Sequence, residues 1–329
     1  MVANIEADRM AHTSNIKPWW GIGKSITDPS DPEKTLREAG MDFEYVVRAP
    51  MLRRRDDTKG VGFQSSEPSK YARCIIAKVD GVEHEVQSCG SRWIPHQPSD
   101  IIEFYRQVSQ KMDLRLETAG VLGGFQKIWA MARVPKTIRL IDDEIHPYIS
   151  FVTGIKGMAS NVAGHTNAIV CQNTMNMALS SGSKTTYDHR SALNVEEMVD
   201  NLNIRKDAFD LYELEINKMA GTRAPDAEYY FNRILLGNST PDWLFDNKDN
   251  RYIKYTREMD QLKGAYSNAP GQDLAARRDN VYGLFNAVTF WTDHSKRSRG
   301  EEARASSILS GESKLIKQRA WDEALKLAA

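Results

Sequence analysis

Two stretches of this chain carry residue types that can do chemistry. In "GHTNAIVCQNTMNMAL", residues 164–179, His165 and Cys171 stand close together, with Gln172 and Asn173 directly after the thiol. A thiol, an imidazole and amide groups are the parts of a thiol hydrolase or transferase, in which the imidazole takes the proton and the thiolate attacks. His165 or the more distant His189 would be the base, and a helix starting at Cys171 would lower the thiol's pKa. The second stretch, "FQKIWAMARVPKTIR", spans residues 125–139. Read as a strand, it puts Phe125, Lys127, Trp129, Met131 and Arg133 on one face and Gln126, Ile128, Ala130, Ala132 and Val134 on the other, with Lys136 and Arg139 just beyond. Cations interleaved with large rings suit single-stranded nucleic acid, the cations meeting phosphates and each stacked base contributing roughly 1–3 kcal/mol. Packing gives the same pattern when the rings lie under a helix and the long cations reach to its rim.

Composition narrows the partners. Lys plus Arg and Asp plus Glu both number 44 in 329 residues, so the formal net charge is zero and any polyanion site must be local. A local cluster is present in "RAPMLRRRDD", where Arg53, Arg54 and Arg55 stand beside Arg48 and are partly offset by Asp56 and Asp57. Such a run is a solvated loop or a grip on a phosphate backbone. The three cysteines, Cys74, Cys89 and Cys171, form no CxxC pair and read as thiols of a reducing compartment. The seven histidines do not pair at ligand spacing and the carboxylates form no calcium loop, so neither a metal nor another cofactor is expected. "GIGK" lacks the upstream glycine of a phosphate loop. No uncharged apolar run approaches the roughly 18 residues that a membrane span needs, and the expected location is the cytoplasm.

The elements that would position these residues follow from periodicity. "YARCIIAKVDGVEHEVQS", residues 71–88, reads as a hairpin, because Asp80-Gly81 suits a two-residue turn with positive φ at both centres. Ile101, Phe104, Tyr105, Val108 and Met112 mark one face of a helix with Ser99 as its N-cap. Residues 116–153 read as a meander of three or four antiparallel strands, with turns at Gly123-Gly124 and Asp142-Asp143. "NAIV" extends as a strand, and "CQNTMNMALSS" continues as a helix ending at Gly182, whose period turns Cys171 toward the core. Residues 194–221 predict a long amphipathic helix opened by an Asn194/Glu197 capping box, followed by a helix from Pro225 to Gly237. Two further helices carry the stripes Val281, Leu284, Phe285, Val288, Trp291 and Ile316, Ala320, Trp321, Ala324, Leu325. The expected fold is α+β: a hairpin, a helix and an antiparallel meander forming a sheet backed by helices, then a mainly helical C-terminal part. We divide it into an N-terminal arm (1–40), an α+β core (41–192) and a helical region (193–329).

Five segments taken in order carry a resemblance: "PWWGIGKSI", "ETAGVLGGFQKIWAMARVP", "IVCQNTMNMAL", "VYGLFNAVTFWTDHSK" and "SGESKLIKQRAWDEAL". From about residue 17 to the C-terminus the chain resembles the phage/plasmid-like protein family built on domain of unknown function 932. That resemblance implies an origin in a phage, plasmid or other mobile element, and a bacterial host cytoplasm. "CQNT" recurs in the family without an established catalytic role. The expected core outline is also similar to that of single-strand annealing proteins of the phage Redβ and RecT type, which are ring or filament formers. The leading expectation is therefore a non-enzymatic, homo-oligomeric protein that binds single-stranded DNA and promotes annealing in recombination. Arg53, Arg54, Arg55, Lys127, Arg133, Lys136 and Arg139 would meet phosphates, and Trp129, with Trp93, would stack on bases. The alternatives are a Cys171-dependent hydrolase or transferase, with His165 or His189 as base, and a structural or partner-binding phage protein whose C-terminal helices form the interface.

Overall fold

In a computed structural model, residues 10–13, 24–26, 31–55, 64–112, 114–155, 160–168, 171–174, 185–203, 207–300, 303–304, 307–308 and 311–329 are described. The chain is α+β, with its strands up to Tyr187 and its helical part from Val195 onward. β1 (Met10–Thr13), β2 (Lys24–Ile26) and α1 (Pro32–Glu38) come first. The hairpin then forms as the sequence predicts: β6 (Ala72–Val79) and β7 (Val82–Gly90) turn at Asp80 and Gly81, with φ of 48° and 80°. Gly81 meets that demand without a Cβ penalty. β6 also pairs β3 (Glu44–Arg48), making a three-stranded sheet, while β4 (Met51–Arg55) and β5 (Gln64–Pro68) make a separate ribbon.

The main sheet, nine-stranded among the described residues, takes the order β13-β12-β11-β9-β8-β1-β2, with β10 on β11 and β14 on β12. Its centre is the predicted meander: β8 (Arg115–Leu122), β9 (Lys127–Arg133), β10 (Ile138–Leu140) and β11 (Asp143–Gly154). β12 (Ser160–Ala168), β13 (Cys171–Thr174) and β14 (Thr185–Tyr187) extend it. The two described strands of the expected arm are thus built into the sheet, since β1 pairs β8 and β2 lies parallel to β1.

α2 (Pro98–Met112) lays its predicted stripe across one sheet face, with Ile101, Phe104, Tyr105 and Val108 fully buried. The Tyr105 hydroxyl donates to Ala130 O (2.6 Å) and accepts from Phe151 N–H (3.1 Å), so it fastens the helix to β9 and β11. Its cap differs from expectation: Asp100, rather than Ser99, closes the first turn by accepting from Gln97 N–H. Alternation along β9 gives the two expected faces. Ile128, Ala130 and Ala132 join the core shared with α2, while Trp129 and Met131 on the other face are also buried.

Within the predicted long helix the described residues form α3 (Val195–Asn203) and α4 (Asp207–Gly221), and residues 204–206 between them lie outside the described residues. Asn194 does cap α3, accepting from Glu197 N–H at 3.1 Å. α5 (Ala227–Leu236) ends at Gly237, whose φ of 72° only glycine adopts readily. α6 (Asn250–Asn268) is a helix the sequence reading passes over, because Met259, Leu262 and Ala265 alone of its residues are buried. α7 (Val281–Phe290) is buried on all sides and runs into a π-helical turn (Trp291–Ser295). α8 (Glu312–Ala328) closes the helical part, with Trp321 stacked on Tyr212 at 5.2 Å. Among the described residues no helix is long and apolar enough to cross a membrane.

Candidate functional site: a charged cavity at the end of the central sheet

Two of the sequence-flagged residues, Arg133 and Lys136, come together where β8 begins and β9 ends. Register sets Arg115 opposite Arg133 and Arg133 opposite Tyr148, so three adjacent strands present these side chains on one face. His146, two residues before Tyr148, shares that face. Between Leu116 and Thr118 the β8–β9 register shifts, and the extra residue is Glu117. Such a bulge re-aims a side chain. Here it brings the Glu117 carboxylate to Tyr148, whose hydroxyl donates to Oε2 at 2.5 Å, and to Arg133, 3.7 Å away. The segment after β9 folds over the end, and Arg115, Glu117, Arg133, Val134, Pro135, Lys136 and Thr137 line a cavity of about 300 Å³.

The charges are finely balanced. Lys136 is held by two carboxylates of α4, Asp210 at 2.6 Å and Glu213 at 3.0 Å. Arg133 donates from Nη2 to His146 Nδ1 at 2.8 Å. The same Nη2 lies 3.5 Å from Nε2, so the guanidinium rests against the imidazole ring and its charge favours the neutral form. Burial, reinforced by the Arg133 charge, lowers the His146 pKa, against the opposing pull of Glu117 and Glu144. The first coordination layer thus holds three cations, Arg115, Arg133 and Lys136, against three carboxylates, Glu117, Asp210 and Glu213. Arg115 is the exposed member. The arrangement can hold an anion by charge and hydrogen bonding, provided the anion outcompetes the acids already there.

The other expected residues lie elsewhere. Lys127 stands at the opposite end of β9 from Arg133, about 20 Å along the strand. Arg139 pairs with Glu144 at 3.3 Å on β10 and is largely exposed. Arg53, Arg54 and Arg55 belong to β4, paired with Ser66, Ser65 and Gln64, in a ribbon rather than the loop expected; their side chains lie outside the described residues. Trp129 corrects the stacking expectation: it is 0% exposed, so its ring is interior packing and offers no surface to a base in this fold. Trp93 stacks on His189, with ring centres 4.4 Å apart.

The thiol reading also changes. Cys171 lies in β13, opposite Ala168 of β12, and not at the start of a helix, so the dipole that was to activate it is absent from the strand. His165 pairs with Thr174, three residues along the same ladder. The side chains of Cys171 and His165, and residues 175–184, lie outside the described residues. His189 is buried between Trp93 and His96, and its Nδ1 meets Ile94 O at 2.9 Å, a structural placement.

Arg115, Glu117, His146 and Tyr148 were not singled out from the sequence. The signal for Tyr148 and His146 was present in their spacing of two within a predicted strand, but the register that carries them beside Arg133 was not. Comparison with known proteins adds one match: residues 85–309 match the family described as domain of unknown function (DUF932). No curated protein and no solved structure matches the chain.

Proposed function

The chain belongs to the DUF932 family, which carries no assigned activity, and from its own residues we propose that it binds single-stranded DNA by the phosphates and promotes annealing, without catalysing a reaction. The observation that carries the reading is the convergence of Arg133 and Lys136, both flagged in the sequence, with Arg115 around one cavity. In this mechanism the exposed Arg115 guanidinium takes a phosphate first. The strand then competes with Glu117 for Arg133 and with Asp210 and Glu213 for Lys136. Lys127, Arg139 and the Arg53–Arg55 ribbon add phosphate contacts along the strand's path. With Trp129 inside the protein, affinity comes from charge more than from base stacking, which leaves the bases open to a complementary strand. A phage or plasmid origin and a homo-oligomeric working form complete the proposal.

The test is binding of a labelled single-stranded oligonucleotide, followed by addition of its complement to time duplex formation. Binding with accelerated annealing, lost in Arg115→Ala/Arg133→Ala, supports the reading; absence of binding at low salt overturns it. One observation favours a second reading, a partner-binding phage protein: Trp129 is buried, while Phe245 in the turn before α6 is 83% exposed and Leu214 of α4 is 54% exposed. Co-purification of a defined partner with the full chain, in the absence of any DNA binding, would select it.

A further inference from the structure

We propose that His146 is a proton-operated gate on the cavity: neutral, it holds Arg133 against its ring; protonated, it releases that guanidinium and adds its own charge, so phosphates bind more tightly as pH falls. This inference rests on the phosphate-binding reading of the same cavity.

The geometry makes the two states exclusive. Arg133 Nη2 reaches His146 Nδ1 at 2.8 Å and Nε2 at 3.5 Å, so the guanidinium rests against the imidazole ring. One proton on that ring puts two cations in contact. Among the described residues, the charged groups around His146 come from three strands. On β9 there is Arg133; on β8, Glu117. On its own strand there are Glu144, engaged by Arg139 of β10, and Tyr148, engaged by Glu117. On β12 its register partner is the uncharged Asn167, and the titratable His165, opposite Tyr148, shares the same face; the side chains of both lie outside the described residues. Lys136 is already held by Asp210 and Glu213.

The consequence is a change of sign. With His146 neutral, the three cations and three carboxylates of the cavity cancel. One proton makes the site net positive and, at the same time, frees Arg133 to turn toward an anion. Because burial and Arg133 disfavour the imidazolium, the empty cavity stays neutral around pH 7. A bound phosphate reverses that preference, and by linkage raises the proton affinity of His146 as much as the proton raises phosphate affinity.

The experiment uses the full chain and a rhodamine-labelled oligothymidylate at fixed ionic strength, at about pH 8 and about pH 5.5, with His146→Gln alongside. The wild-type chain is expected to bind about tenfold more tightly at the lower pH, within the usual range of coupling between two sites. The variant, which has no titrating group at this position, is expected to show a flat profile between the two pH values. Equal pH dependence in the two proteins, or none in wild type, overturns the gate and leaves the phosphate site standing. No binding by either protein at either pH overturns both. Should His146→Gln fail to fold, the imidazole carbon resonances of His146 in the wild-type chain decide: its titration must move to higher pH when the oligonucleotide is bound, and an unmoved titration rejects the gate.

Discussion

His96 shows how strongly a single side chain can depend on where the chain puts it. Its Nε2 faces the Ser191 carbonyl at 3.2 Å, which requires a proton on that nitrogen and leaves Nδ1 to accept from Ser160, 2.5 Å away. Ser160 Oγ lies 2.5 Å from Thr153 Oγ1, so one ring joins the segment before α2 to β11 and β12. Burial, with the neighbouring His189, pushes the His96 pKa down to about 4. The folded state therefore takes up this proton less readily than the unfolded chain, whose histidine titrates near 6.5. Stability from this group is complete above about pH 6.5 and declines as pH falls toward 4, by at most about 3 kcal/mol. Urea midpoints at about pH 7 and about pH 5 should differ more in wild type than in His96→Gln, and equal differences would contradict the assignment. Nothing in the local sequence separates His96 from His146, because both depend on strands that arrive from far along the chain.

At the scale of elements, legibility tracks how much of an element's reason is local. The β6–β7 hairpin was readable because Asp80-Gly81 supplies its own turn, and α2, α7 and α8 because each buries a wide stripe. α6 was not, since three buried positions in nineteen residues leave a stripe too thin to stand out. The segment at Cys171 was misread because its apolar spacing also fits a helix, and only pairing with β12 decides for a strand. The cavity was half legible: Arg133 and Lys136 belong to one strand and its exit, whereas Arg115, His146 and Tyr148 arrive by register. Close approach of elements also explains a glycine. A Cβ on Gly283, in the first turn of α7, would stand 1.9 Å from the Arg277 carbonyl oxygen. Gly283→Ala must push the 269–280 loop off α7, and we expect a loss of roughly 3 kcal/mol in denaturant unfolding, the upper range for overpacking. An unchanged midpoint would show that the loop moves freely.

Across the whole molecule, that loop is where the sheet meets the helical part. The turn between β10 and β11 offers two neighbouring acids with different tasks. Asp142 accepts from the backbone N–H groups of Ala275 and Ala276, at 2.8 and 3.0 Å. Asp143 forms a fully buried pair with Arg277, at 2.6 Å. Burial raises the Asp143 pKa, and the Arg277 charge pulls it back. Removing one member strands the other charge, so Asp143→Ala should cost about 3–5 kcal/mol, and Asp143→Ala/Arg277→Met should recover a large part of it. A double variant as unstable as the single one would contradict a stranded charge as the cause. The central claim, that the cavity takes nucleic-acid phosphate, is tested most directly by the slope of log affinity against log salt for a single-stranded oligonucleotide between roughly 50 and 200 mM. The account predicts a steep slope for wild type and one shallower by about 1–2 units in Arg115→Ala/Arg133→Ala, for the phosphates no longer neutralised. Identical slopes in the two proteins would contradict it.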